Sequence, residues 1–136
     1  MDVEEARELI RANHHGVLAT RRADGRPQLS PVAAAIDDAG RVVISTRETA
    51  IKVKNLARDP RASLCVLTDR FFGDWIQAEG TAEIIHLPDA MELLIDYYRG
   101  IAGEHPDWDE YRDAMRRERR VIVAITLTRA GPDHSG

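Results

Sequence analysis

Four polar residues crowd one short stretch of the chain. Lys52, Lys54, Asn55 and Arg58 fall inside STRETAIKVKNLARDPRASLCVLTD, residues 45–69. Ser, Thr and Glu at its front suit a helix start. The Asp59-Pro60 pair stops the helix, because the residue before a proline is pushed out of the α region. Basic groups near a helix N-terminus are suited to holding an anion. The N–H groups of the first turn and the helix dipole favour negative charge, lysines add point charges, and Asn55 adds a neutral donor. The plain alternative is a solvated helix face that carries charge for solubility. Gln28 and Ser30 stand two apart on a strand and so share a face, which is either ordinary solvent surface or a wall that hydrogen-bonds a ligand ring. Trp75 and Gln77 share a strand face in the same way, continued by Glu79. They pack as sheet surface, or they flank a flat aromatic ligand.

Other chemistries find little support. His14, His15, His86, His105 and His134 stand at no helical ligand spacing and Cys65 is the single cysteine, so no metal site is expected. There is no G-x-S-x-G elbow, no Walker A loop and no G-x-G-x-x-G. Trp108 and Tyr111 read as core or interface. Arg116, Arg117, Arg119 and Arg120, around Glu118, read as a solvated helix end. The net charge of −4 argues against a general nucleic-acid binder, which needs a basic surface to neutralise phosphates. One cysteine permits no internal disulfide, and no apolar run approaches a signal-peptide core or a membrane span, so the expectation is a cytoplasmic protein.

The elements that must position these groups follow from patterning. The chain of 136 residues reads as one domain, 1–136, with a flexible polar tail from about residue 130 onward. Val3, Ala6, Leu9 and Ile10 share one face of a helix over 3–12, with Asp2 as its cap. Strands at 16–22, 27–37 and 41–46 form a meander through turns at 23–26 and 37–40. Pro31 places an edge or a bulge in the second of them. The basic helix covers 49–58. A strand at 61–69, apolar on both faces, should be central, and a long strand at 74–86 should bend at Gly80. Helices from Pro88 to 101 and over 108–118 precede a last strand at 121–128. The expectation is a mainly β, α+β protein: about six antiparallel strands, closed into a barrel, with three to four flanking helices.

The strings GVLATRRADGRPQLSPV (16–32), KVKNLARDPRASLCV (52–66), WIQAEGTAEI (75–84) and YYRGIAGEHPDWDEYRDAM (97–115) cover most of the chain. Together they resemble the flavin and deazaflavin oxidoreductase superfamily named for pyridoxamine 5′-phosphate oxidase. IAGEHPDWDEY is the string more specific to its actinobacterial branch, which uses coenzyme F420. The resemblance implies an FMN-binding-like split β-barrel and a homodimer with two cofactor sites at the subunit interface. It implies that the helix after the third strand grips the phosphate or the polyglutamate-bearing tail. Lys52 matches the family's phosphate-gripping lysine, and Lys54 and Asn55 match neighbouring positions. Gln28, Leu29, Ser30 and Pro31 match the strand that passes beside the ring. Ala50 stands where close relatives carry an arginine, which leaves Arg47 or Lys54 to substitute.

The activity implied is hydride transfer from reduced F420 to a small conjugated or quinone-like substrate. The alternatives are an FMN-binding oxidase or flavin reductase, a cofactor carrier or sensor without turnover, and a structural dimer with a vestigial site. Pyridoxamine phosphate oxidation itself ranks behind these, since the basic C-terminal substrate segment of those enzymes is missing. The residue types name no catalytic proton donor.

Overall fold

Asp2 starts the first helix, α1 (Val3–Ala12). Its carboxylate accepts from the Glu5 N–H at 2.8 Å, and Glu5 accepts from the Asp2 N–H at 3.1 Å. The reciprocal pair satisfies two donors that a helix start leaves open. Ala6 and Ile10 are fully buried and pin α1 to the core. The computed structural model from which these contacts come describes residues 1–132.

Seven strands follow: β1 (His15–Arg21), β2 (Pro27–Ala33), β3 (Ala35–Ile36), β4 (Val42–Arg47), β5 (Arg61–Leu67), β6 (Trp75–Ile85) and β7 (Arg120–Gly131). They form one antiparallel sheet in the order β2-β1-β5-β6-β7-β4-β3. β2 and β3 occupy the two outer edges, yet only Ala34 separates them in the chain. One interrupted strand therefore begins and ends the sheet, which must curl until its edges approach. The result is the expected split β-barrel. α2 (Ile51–Arg58) links β4 to β5, and α3 (Met91–Ala102) and α4 (Trp108–Arg117) link β6 to β7.

Two apolar clusters hold these layers together. Leu18, Ile44, Leu64, Val66, Ile76, Val123 and Ile125 fill the barrel, with Ile10 of α1 and Leu56 of α2 packed among them. On the other side of β4 and β7, Val43, Ile122 and Ala124 meet Leu94, Ile95, Tyr111 and Met115 of α3 and α4. Tyr111 donates its hydroxyl to the Leu94 carbonyl at 2.7 Å, and its ring packs among Tyr98, His105 and Trp108. Trp108 and Tyr111 thus belong to the core, as expected.

Several boundaries differ from expectation. The doubly buried strand is β7, where Val121 through Ile125 are all buried, and not β5, which alternates buried and half-exposed residues. The cause is that α3 and α4 settle on β4 and β7 and leave the outside of β5 bare. The strand expected over 27–37 breaks at Ala34, which makes seven strands of six. Pro31 is tolerated because β2 lies at an edge, where its missing N–H breaks no ladder. α2 starts at Ile51 with Ala50 at its N-cap and no side-chain cap; Ser45 and Thr46 lie within β4 instead. α3 starts at Met91, and Pro88 sits in the turn before it. Arg129, Ala130 and Gly131 belong to β7, paired with β6, so the last strand runs further than expected. Residues 133–136, including His134, lie outside the described residues.

The bend expected at Gly80 is a register shift between Glu79 and Gly80 opposite β7. A Cβ at Gly80 would lie 2.1 Å from the Thr126 carbonyl oxygen. The two strands can approach this closely only because that position has no side chain. Gly80→Ala is expected to destabilise the fold by about 1–3 kcal/mol, the usual cost of forcing atoms into a packed site. A urea-denaturation midpoint equal to wild type would show that the bulge tolerates a methyl group.

Candidate functional site

α2 is latched to the barrel by a buried polar chain. Asn55, only 4% exposed, donates from Nδ2 to Thr20 Oγ1 at 3.1 Å, and the Thr20 hydroxyl donates to Gln28 Oε1 at 3.4 Å. Arg58 donates to Asn55 Oδ1 at 3.1 Å and to the Arg21 carbonyl at 2.8 Å. An amide buried without partners would cost about 1–3 kcal/mol, so the latch fixes how α2 is rotated on the sheet. That rotation turns Asn55 inward and Lys52 toward the start of β7.

Lys52 stands half-buried in the first turn of α2, without a hydrogen bond or ion pair among the described residues. Burial holds its pKa below the usual amine range, and the positive charge of Arg120 adds to the effect. Arg120 opens β7 directly opposite Arg47, the last residue of β4. A single carboxylate oxygen, Glu118 Oε1, serves both arginines, at 2.9 Å from Arg120 Nη2 and 3.4 Å from Arg47 Nη2. The hydrogen bond from Arg120, then the charge of Arg120 and the contact with Arg47, hold the Glu118 carboxyl below its usual pKa. Arg120 Nε is buried with no hydrogen-bond partner. Two arginines therefore share one carboxylate, Lys52 has none, and one guanidinium N–H is orphaned. Such a group is costly to leave unpaired, and an anion placed between Lys52 and Arg120 would relieve it. Tyr97 sits nearby. Burial pushes its phenol up, and its hydroxyl already donates to the Ala33 carbonyl at 2.9 Å, so it is a poor proton source at neutral pH.

A second region lies on the outside of β2, β1, β5 and β6. The strand register aligns two rows across it: Leu29, Ala19, Ser63, Glu79 and Arg129, then Pro31, Val17, Cys65, Gln77 and Gly131. Trp75 extends it beside Leu67. Leu29 is 62% exposed and Trp75 37%, and Phe71 and Phe72 project next to this face from the β5–β6 loop. A trough of ≈ 530 Å³ runs along Ala19, Ser63, Glu79 and Thr81. Leu29, Trp75, Phe71 and Phe72 thus leave large apolar side chains exposed on or beside a sheet face that no helix covers.

The sequence-derived candidates divide between these regions. Lys52 and Arg47 join the cation cluster. Lys54 does not: two residues on, it lies about 200° around the helix from Lys52 and is exposed. Of Arg47 and Lys54, only Arg47 meets Glu118, opposite Arg120. Asn55 is consumed by the latch. Leu29, Pro31, Trp75 and Gln77 share the outer sheet face, where Gln77 donates to Glu79 at 2.8 Å. Gln28 and Ser30 face the opposite way, toward the barrel interior, Gln28 beside Thr20 and Ser30 with its hydroxyl buried and unpartnered. Arg120 was missed, because it reads in sequence as one of four arginines at a helix end. The usable signal was strand parity: counted back from VIVAITLT, Arg120 falls inside the strand.

Comparison with known proteins agrees with this architecture. The model of the pyridoxamine 5′-phosphate oxidase family matches residues 3–131. A conserved hypothetical protein from Mycobacterium tuberculosis superposes with a TM-score of 0.77 at 26% identity, over 100% of this chain and 92% of that one. An F420 reductase superposes with a TM-score of 0.68 at 22% identity, over 91% and 94% of the two chains. A heme storage protein from Vibrio cholerae gives 0.70 at 16% identity, over 96% and 94%. At these identities the likeness is one of fold. No helix among the described residues is long and apolar enough to cross a membrane, and no group of three or more His, Cys, Asp or Glu there could hold a metal ion.

An unpaired, half-buried ammonium costs stability. Lys52→Met is therefore expected to raise the unfolding free energy measured in urea at neutral pH, by no more than about 1 kcal/mol because water still screens the group. The folded-state pKa is lowered, so the penalty is fully present below that value and fades as pH rises toward the unfolded value of about 10.4. The gain should shrink over the same range. A gain that persists undiminished above pH 10 would assign it to packing rather than charge.

Proposed function

Since the chain belongs to the pyridoxamine 5′-phosphate oxidase family, we propose that it is a deazaflavin-dependent oxidoreductase, binding coenzyme F420 and reducing a small conjugated or quinone-like organic substrate. The observation that carries this reading is the cation cluster: Lys52 unpaired, Arg120 Nε orphaned, and one carboxylate shared by Arg47 and Arg120. Those groups fit the phosphate of a flavin-like cofactor. Bound there, reduced F420 would supply the hydride, the chemistry that no side chain of the protein can provide. The protein's part is to bind, orient and exclude water. Lys52 and Arg120 anchor the anionic end, and Arg47 extends the positive surface toward solvent. The outer sheet face, with Leu29, Pro31, Trp75 and Gln77, offers a flat wall with one amide for a ring system. Positioning of this kind is what converts a bimolecular hydride transfer into an effectively unimolecular one.

The two regions sit at opposite ends of β7, Arg120 at one end and Gly131, beside Gln77, at the other. Twelve residues of strand span roughly 36 Å of contour at about 3.3 Å each. Such a distance favours a homodimer in which one protomer grips the anionic tail and its partner covers the ring, the bare sheet face forming the interface. The protein would act in the cytoplasm, where its lone Cys65 stays reduced. An FMN-binding oxidase or flavin reductase is the second reading, because the same cations fit the FMN phosphate and the family is named for a flavin enzyme. Binding without turnover would make the protein a carrier or sensor.

Calorimetric titration with F420 and, separately, with FMN tests these readings. F420 is expected to bind at micromolar or lower concentration and FMN more weakly; the reverse order moves the protein to the flavin reading. Lys52→Met should weaken the preferred cofactor by about 1–3 kcal/mol, the worth of a charge-assisted bond. Binding of neither cofactor would remove the oxidoreductase reading. For the interface, Leu29→Glu should turn a dimer into a monomer in sedimentation, and a wild-type monomer at tens of micromolar would sink the dimer.

A further inference from the structure

Glu118 stands where a carboxylate is least expected. It is the C-cap of α4, at the negative end of the helix dipole, directly after Arg116 and Arg117. Nothing in the helix calls for an acid there. Its one observed engagement is with the cation cluster, through Oε1, on Arg120 at 2.9 Å and Arg47 at 3.4 Å. The acid at Glu48 serves different partners, Arg119 at 3.3 Å and His86 at 3.8 Å. Glu118 is thus the only carboxylate paired with Arg120 or Arg47 among the described residues, and it occupies the Nη2 donors that an incoming anion would use.

We propose that Glu118 is a built-in counter-anion, holding Arg120 and Arg47 in position and competing for them with the anionic group of a bound ligand. The proposal rests on the reading of Lys52 and Arg120 as the phosphate-binding pair. Ligand binding then has two parts. The phosphate takes the free Lys52 ammonium and the orphaned Arg120 Nε, and Glu118 must yield or share Arg120 Nη2. Affinity is set below the maximum the three cations could give, which favours release of a cofactor that has to exchange between turnovers. Glu118 is a positioning residue, since it acts through the arginines.

The test is Glu118→Gln, which keeps the size and the hydrogen bond but removes the charge. Titrated with F420 and FMN, it is expected to bind either about three- to tenfold more tightly than wild type, the effect of one partly screened charge. Binding of riboflavin, which has the ring without the phosphate, should not change. The unliganded variant should melt slightly lower than wild type, and the rise in melting temperature on adding cofactor should be larger. Unchanged or weaker cofactor binding would overturn the proposal, as would an equal gain for riboflavin. Lys52→Met separates the two layers of argument. Weakened binding by Lys52→Met together with no gain from Glu118→Gln removes the counter-anion and leaves the phosphate site standing. If neither wild type nor variant binds either cofactor, inorganic pyrophosphate reads the cluster alone. Tighter pyrophosphate binding by Glu118→Gln then keeps the counter-anion and discards the cofactor, and equal binding overturns both.

Discussion

At the point where β2 passes into β3, the backbone N–H of Ala34 donates to the His14 carbonyl at 2.7 Å. That bond ties the break in the strand to the start of β1, so one stretch of chain borders β1 with its first half and β4 with its second. Every other feature depends on this closure. It gives the sheet an inside, which Ile10 and Leu56 can help fill from α1 and α2. α3 and α4 cover only the part of the outside formed by β4 and β7 and leave the remainder bare. The same constraint yields an enclosed core, a helix-covered wall and an uncovered face.

The charged groups are distributed accordingly. Most ion pairs of the chain are exposed and close in sequence, such as Arg61 with Asp59 at 2.7 Å and Arg7 with Glu4 at 3.1 Å, and pairs of that kind contribute little. The cluster of Arg47, Lys52, Glu118 and Arg120 is different. It joins β4 and α2 to the junction of α4 and β7, it leaves a guanidinium N–H unpaired, and it places an ammonium where burial works against its charge. A fold selected for stability alone would not retain these costs. Groups that carry a binding function commonly do.

Most of the fold was legible in the sequence because the physics that encodes it is local. The turn at 23–26 marked the hairpin of β1 and β2, Asp2 marked the start of α1, and Gly80 marked the bulge. What stayed hidden depends on contacts between distant segments. Ala34 reads as one of three alanines in a strand, and nothing local says that the sheet changes edge there. The double burial of β7 arises from where α3 and α4 land. In the candidate site, Lys52 was legible from its place near a helix start, but its separation from Lys54 required the helix rotation. Asn55 looked like a ligand donor, since a sequence cannot reveal that Thr20 and Arg58 have already claimed its amide.

That claim by Thr20 has a reach beyond packing. The threonine side chain is 1% exposed, and the next contact along its chain of hydrogen bonds is the helix that aims Lys52. On the proposed reading, a hidden hydroxyl on β1 thereby becomes a determinant of how well the protein would hold an anion. Variation among descendants of this chain would then tune ligand retention from the interior, at positions that a survey of ligand-lining residues would pass over. Selection on release rate would act on the barrel as much as on its surface.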